Sequence, residues 1–343
     1  MSFAEDLRRE LEEARRQYAA PAPGDGGEGL RFSTFEEAKD PMDMIAVDGS
    51  YSFLLNLSSW WLAMISVALL RYSFSNEKFS RKDWRMIQRV VGISTYEEFV
   101  KQKDDFYKAL YESTRKSKEQ HRDIVNEWRR FIEGQLAVKM AEDTKGCIIA
   151  VDGALAVFPK QFDYIARLIE VCEENEHLLI GVSKDSQLHA FGHQLTDEDL
   201  LNRSGDSLEK ESLAFIRAPE EFERGQKGLL HGDVYYCRFH PRSSKWFRVD
   251  LGTMKDDPKG AFAHVAPYCR SLLAVGYPLP LVEAHRMAVT VRYLRGAYQE
   301  TVVKHAVRLG LDPRDVLNGL TEMEGRKRSA FHEYLDRLSR DRR

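Results

Sequence analysis

Hydrophobic positions in this 343-residue chain fall into solid blocks as well as periodic stripes. The blocks MIAVDGSYSFLL (44–55), GCIIAVDGALAVF (146–158) and HLLIGVSK (177–184) are apolar at consecutive positions, the pattern of strands covered on both faces. Between the last two, PKQFDYIARLIEVCEENE (159–176) reads as a helix opened by Pro159, so that a β-α-β unit sets two parallel neighbours at the centre of a sheet. WWLAMISVALLRYSF (60–74) fits either a buried helix or a buried strand, and the β-branched and aromatic content of its ISVALLRYSF half favours strand there. From Lys82 to Glu142 the pattern turns helical and highly charged, with no internal proline. The stretch from Asp185 to Lys227 is polar and suits loops or a short insert, and DVYYCRFHP with KWFRVDL alternates as a hairpin. Ser2 to Tyr18 reads as a charged helix followed by the flexible linker PAPGDGGEG. At the other end come the helical PLPLVEAHRMAVTVRYLRGAY with its continuation, and the basic helix GRKRSAFHEYLDRLSRDRR. The fold class is α/β: a mixed sheet with a long helical insertion and peripheral helices.

Composition narrows the classes. A hydrophobic content of 43% is ample for one large domain or two modest ones. Charged residues make up 31% but cancel to a net −3, so any nucleic-acid surface must be local. Cys147, Cys172, Cys237 and Cys269 lie far apart with no CxxC pair, which argues against a zinc site or a disulfide framework and fits a reducing cytoplasm. No basic start leads into an apolar signal segment, and the longest apolar run is too short to span a bilayer, so no membrane association is expected. Neither a Walker A loop nor a GxGxxG is present, so the chain cannot power translocation by itself.

The chemistry lies in the repeated AVDG, which places Asp48 and Asp152 at the exits of two buried strands. An unpaired ionised carboxylate in apolar surroundings is costly, and a cation is the natural compensation. Gly49 and Gly153 let the backbone beside each acid turn or approach closely. Two carboxylates converging from adjacent strand ends suit a hard divalent ion such as Mg²⁺ or Mn²⁺. Such sites serve phosphodiester hydrolysis, often with two ions roughly 3.5–4 Å apart. A ribonuclease-H-like site takes an Asp on the first strand, a Glu on a helix, an Asp on the fourth strand and a last ligand on a late helix. Asp48, a Glu in EWRRFIEGQLAVKMAE, Asp152 and His285 occur in that order.

The series AVDGS, a helical E-G-x-L-A, VDGAL, GVSK and GYPLPLVEAH, from about Met44 to Arg292, resembles the NurA family of DNA-end-processing nucleases. The resemblance implies a fold like ribonuclease H and Argonaute PIWI domains and a Mn²⁺-dependent 5′-to-3′ nuclease. It further implies a homodimer that works with HerA, a hexameric DNA-translocating ATPase, in DNA-end processing. Taken with the pattern along the chain, it gives an N-terminal helix and linker (1–30), a nuclease domain (31–310) with a helical insertion at about 80–142, and a C-terminal basic tail (311–343). Carried onto this sequence, the family's acids fall on Asp48, Glu133 and Asp152. Its lysine falls on Lys184, its tyrosine on Tyr277 and its histidine on His285. Asp48, Glu133, Asp152 and His285 would then hold Mn²⁺ or Mg²⁺, with two ions expected. Lys184 would neutralise charge on the scissile phosphate, and Tyr277 would hydrogen-bond a phosphate or stack on a base.

Each assignment has a plainer counterpart: a solvated strand-end lysine, a packing tyrosine, a structural helical histidine. Another ribonuclease-H-like enzyme, a resolvase or an Argonaute-like slicer, and an inactive adaptor of a translocase are the competing functions. The helical acid is open on periodicity alone, because Glu127 and Glu133 flank opposite edges of the stripe Ile124, Val125, Trp128, Phe131, Ile132, Leu136 and Met140. The family pattern favours Glu133. The basic, aromatic RYSFSNEKFSRKDWRMIQRVV is either a DNA-contacting patch or a solvated helix face, and His231, His240 and His264 are spaced too irregularly for a zinc motif.

Overall fold

The computed structural model describes residues 3–18, 30–57, 59–75, 78–156, 163–192, 195–204, 212–225 and 230–321. The apolar blocks become strands of one sheet. They are β1 (Ser33–Phe35), β2 (Met44–Asn56), β3 (Trp61–Ser75), β4 (Lys78–Ile93), β5 (Ile148–Asp152), β6 (Leu178–Ser183), β7 (Leu213–Arg217), β8 (Asp233–Arg238) and β9 (Phe247–Leu251), in the order β1-β7-β8-β9-β6-β5-β2-β3-β4. β5 runs parallel to both β2 and β6, and all the other pairings are antiparallel. The helices α1 (Phe3–Tyr18), α2 (Glu97–Lys101), α3 (Asp105–Thr114), α4 (Gln120–Asp143), α5 (Tyr164–Glu174), α6 (Asp197–Ser204) and α7 (Glu220–Gly225) lie between or before strands. α8 (Pro258–Val265), α9 (Leu279–Ala288), α10 (Thr290–Tyr293), α11 (Arg295–Arg308) and α12 (Pro313–Thr321) follow the last strand. Among the described residues no helix is long and apolar enough to cross a membrane.

Two cores explain why the central blocks are apolar at every position. Strand side chains alternate between faces. Ile45, Val47, Ile149 and Val151 point to one face, where they meet Leu136, Ala137 and Met140 of α4 and Ile165 and Leu168 of α5. Met44, Ala46, Ile148, Ala150, Ile180 and Val182 point to the other, under Phe262 and Val265 of α8 and Leu281 and Ala284 of α9. Each such buried aliphatic side chain is worth about 1.5–3 kcal/mol relative to exposure, so a register slip on β2 or β5 would exchange the two sets at great cost.

Several expectations are corrected. The helical reading of the chain from Lys82 fails up to Ile93, because β4 pairs antiparallel with β3 from Ser75↔Lys78 to Trp61↔Ile93. Its charges guard an edge strand against unwanted pairing instead of decorating a helix, and helix begins only at α2. The basic, aromatic stretch is therefore a strand face and not a helix face. The whole of β3 is strand, including the segment before Ile65. Asp48 is not at a strand exit, since β2 continues to Asn56. The polar stretch after Asp185 contains β7, which fills the sheet between β1 and β8. The segment from Leu279 onward is broken into α9, α10 and α11. Pro159, the linker PAPGDGGEG and the basic tail beyond Gly325 lie outside the described residues, and α5 starts at Tyr164 with the Asp163 carboxylate accepting from Ala166 N.

One close approach sets the geometry around Asp152. A Cβ on Gly181 of β6 would stand 2.5 Å from the Gly153 carbonyl oxygen and 3.0 Å from the Leu155 side chain. The chain leaving β5 can fold over β6 only because position 181 has no side chain. Gly181→Ala should therefore destabilise the protein by about 1–3 kcal/mol, the usual cost of overfilling a packed site. Urea unfolding at neutral pH measures it, and an unchanged midpoint would mean that the turn moves away freely.

Candidate active site

The site forms where β2 and β5 part. Their parallel pairing runs from Met44↔Ile148 to Val47↔Val151 and ends there. Asp48 and Asp152 are the next residues on each strand, and alternation aims both at the α9 face. β5 stops because Gly153 turns with φ +102°, its N–H donating to Val182 O at 2.9 Å. The turn is pinned from behind: Leu155 N donates to Asp250 Oδ2 at 3.0 Å, and Arg248 holds that buried carboxylate with Nε–Oδ1 2.7 Å and Nη2–Oδ2 2.9 Å. β2 meanwhile runs on, paired with β3.

Lys184 follows β6 at the position two beyond Val182, hence on the same face. Its Nζ donates to Asp152 Oδ2 at 2.9 Å and lies 3.9 Å from Asp48 Oδ2. Tyr277 comes just before α9, and its hydroxyl donates to Asp152 Oδ1 at 2.7 Å. Two helical turns on, His285 Nδ1 meets Asp48 Oδ2 at 2.8 Å. The ligand atoms of Asp48, Asp152 and His285 all lie within 4.8 Å of one another. Two carboxylates and an imidazole of this kind fit an ion such as Mn²⁺. The cluster is closed below and open above: side-chain exposure is 2% for Asp48 but 38% for Lys184 and 43% for His285.

Glu133 comes from the opposite face. α4 approaches β2 where Gly49 offers no side chain, and any Cβ there would overlap the Glu133 carboxylate. Gly134 in turn leaves room for the Tyr164 ring of α5. The Glu133 carboxylate is ion-paired with Arg129 one turn earlier, and Arg129 Nη1 also donates to Gly49 O at 3.1 Å and lies 3.9 Å from Asp48 Oδ1. Glu127 sits elsewhere on α4, 3.7 Å from Arg130. Of the two candidate helical acids, Glu133 is the one brought beside Asp48, although it is outside the group of three that converge as ligands. His231 pairs with Asp163 at 2.8 Å and His264 Nδ1 accepts from Met42 N at 3.3 Å.

The electrostatics follow from burial. Desolvation raises the Asp48 carboxyl above its ordinary range, the hydrogen bond from His285 opposes this, and the Asp152 charge adds to the rise. Glu133 is pushed up to about 7 by burial, against the pull of Arg129. Tyr277 is driven well above the ordinary phenol value, first by burial and then by the Asp152 charge, so it stays a donor. Burial works against the Arg129 charge, but Glu133, Asp48 and Asp152 outweigh it and its pKa is raised. Such a cluster of carboxylates held in an apolar setting binds cations readily.

The sequence missed Arg129, Arg248 and Asp250. Arg129 had a signal, because a basic residue four positions before an acid on a helix is placed to pair with it. Arg248 and Asp250 had none beyond sitting in a hairpin strand.

A NurA-domain family model matches residues 42–290, well over half of the chain. The crystal structure of the NurA nuclease from Sulfolobus solfataricus superposes with a TM-score of 0.53 at 12% identity, over 87% of this chain and 95% of that one. A NurA structure determined with manganese gives 0.49 at 11% identity, over 83% and 94%. Endonuclease V of Ciona intestinalis bound to DNA gives 0.39 at 12% identity, over 84% and 96%. No curated protein matches the sequence. The Sulfolobus protein shares this ribonuclease-H-like fold. The matched span runs from just before β2 to the start of α10 and includes all six expected site residues; the chain belongs to the NurA nuclease family.

Proposed function

We propose that this protein is a divalent-metal-dependent DNA nuclease that cleaves phosphodiester bonds, as a 5′-to-3′ exonuclease and a single-strand endonuclease, during DNA-end processing and recombinational repair. The observation that supports it most is the convergence of Asp48, Asp152 and His285 at the mouth of the β2–β5 gap. A bound Mn²⁺ or Mg²⁺ would supply Lewis-acid activation of water and of the phosphate. Asp48, Asp152 and His285 would hold it, with Glu133 behind Asp48. Tyr277 fixes one oxygen of Asp152 and leaves the other to face Lys184 and the opening. Lys184, half in solvent, is placed to neutralise charge on a phosphate entering from that side.

The family likeness also supports a homodimer and a HerA-type hexameric ATPase as the partner that moves DNA, in the cytoplasm. Exposed apolar side chains at Leu272, Leu273, Tyr293, Leu294 and Leu309 offer surface for such contacts.

Purified protein incubated with end-labelled DNA should cleave it with Mn²⁺ and fall silent in EDTA. Ca²⁺ should support far less, being larger and looser in geometry. Cleavage that persists in EDTA would overturn the metal reading, and none under any condition would favour an inactive adaptor.

Asp48→Asn and Asp152→Asn should each lower the cleavage rate at least ~100-fold, and Lys184→Ala by about 10²-fold, the size expected for one lost electrostatic contact to a developing charge. Glu133→Gln should remove most activity while Glu127→Gln leaves it nearly intact. The reverse order in single-turnover assays would move the helical role to Glu127.

Stability should shift with pH in a fixed direction. The folded pKa of Asp48 is raised above 3.8, so its ionised form costs the metal-free fold stability above that raised value and nothing below 3.8. Asp48→Asn should raise the melting temperature in EDTA at pH 8, and the gain should shrink as pH falls toward 4. Adding Mn²⁺ should raise the melting temperature of the wild type but not of the variant. Thermal scans across pH would reject this if the substitution lowered stability at pH 8.

A further inference from the structure

The two oxygens of Asp48 face two different cation positions. Oδ2 meets His285 Nδ1 at 2.8 Å and lies 3.9 Å from Lys184 Nζ, on the side where Asp152 converges. Oδ1 accepts from Gly49 N at 2.7 Å and lies 3.9 Å from Arg129 Nη1, on the side of Glu133. A carboxylate placed like this between two further acids could bridge two metal ions. Here the second position already holds a positive charge. Arg129 Nη1 is bound to the Glu133 carboxylate and to Gly49 O at 3.1 Å, while Nη2 donates to Asn126 Oδ1 at 3.0 Å.

We infer that Arg129 is a resident cation occupying the place of a second metal, so that each chain takes up a single divalent ion, at Asp48, Asp152 and His285. This rests on the metal-dependent reading given above. Three observations support it. The Arg129 side chain is only 15% exposed and that of Glu133 only 4%, so an incoming ion would have to expel a largely buried guanidinium from its carboxylate partner. A buried charge stripped of its partner is strongly unfavourable. Among the described residues the set able to converge on an ion contains Asp48, Asp152 and His285 and leaves Glu133 out. The charges agree as well. Asp48, Glu133 and Asp152 bring three negative charges and Arg129 and Lys184 two positive ones, so one divalent ion leaves the site with a single positive charge, matched to one phosphodiester. Two ions with Arg129 still in place would leave it strongly positive. Arg129 is thus a positioning residue, holding Glu133 against Gly49 and sharing the load on Asp48.

The test is a count of bound Mn²⁺ per chain on the full-length protein, from the loss of the free-ion electron paramagnetic resonance signal. Wild type should saturate at one ion. Arg129→Gln should gain a second ion at concentrations where wild type binds one, Arg129→Lys should stay at one, and Arg129→Gln combined with Glu133→Gln should return to one. Two ions in the wild type would overturn the inference, and so would a single ion in a folded Arg129→Gln. Should Arg129→Gln fail to fold by circular dichroism, the wild-type count decides alone. No bound ion in the wild type would remove the metal-dependent reading itself and this inference with it, whereas one ion in every variant removes only the inference.

Discussion

Everything chemical in this protein depends on two parallel strands that stop being neighbours. β2 and β5 share four rungs of pairing and then separate, β5 by turning at Gly153 and β2 by continuing beside β3. At that point two carboxylates of like charge are set side by side in an apolar wall, an arrangement that folding alone would disfavour. The strain is contained by groups that arrive from both faces of the sheet: Lys184, Tyr277 and His285 from one, Arg129 from the other. A divalent ion held at Asp48, Asp152 and His285 would take over part of this compensation, displacing protons and hydrogen bonds aimed at the same oxygens.

A second layer keeps the parting in place. Asp250 is fully buried, and it uses one oxygen for the Leu155 amide while Arg248 grips both. The acceptor therefore fixes where the chain goes after Asp152, and Gly181 gives that chain its path over β6. Asp250 and Gly181 lie outside the converging group of Asp48, Asp152 and His285, yet each helps determine where Asp152 points.

How much of this was legible in the sequence divides along physical lines. Solid apolar runs reported the central strands because both faces of β2, β5 and β6 are covered, and the repeated AVDG marked the two acids because carboxylates are anomalous in such runs. The edge strand β4 was not legible. It is exposed along most of its length, so its charges carry no period-2 imprint and imitate a helix surface. β7 is short and lies in a Glu-rich stretch, where tertiary pairing with β1 and β8 overrides local character. Asp48 reads as a strand-exit residue because the Asp-Gly step resembles a turn. In fact Gly49 is there to let α4 come close, a role that depends on Glu133 some eighty residues away. The Arg248–Asp250 pair could not be found, since its meaning comes from a loop contact that no spacing encodes.

α9 has a consequence of its own. Tyr277, two residues before its first residue Leu279, is bonded to the acid of β5, and His285 within it is bonded to the acid of β2. The helix therefore acts as a calliper whose two tips rest on opposite sides of the strand gap. A displacement of α9 along its axis would loosen both tips together, and a widening of the gap would pull on both. Assembly of this acid, tyrosine and histidine cluster should then be concerted: the two sides are made or lost as one unit, and whatever presses on the exposed flank of that helix reaches both acids at once.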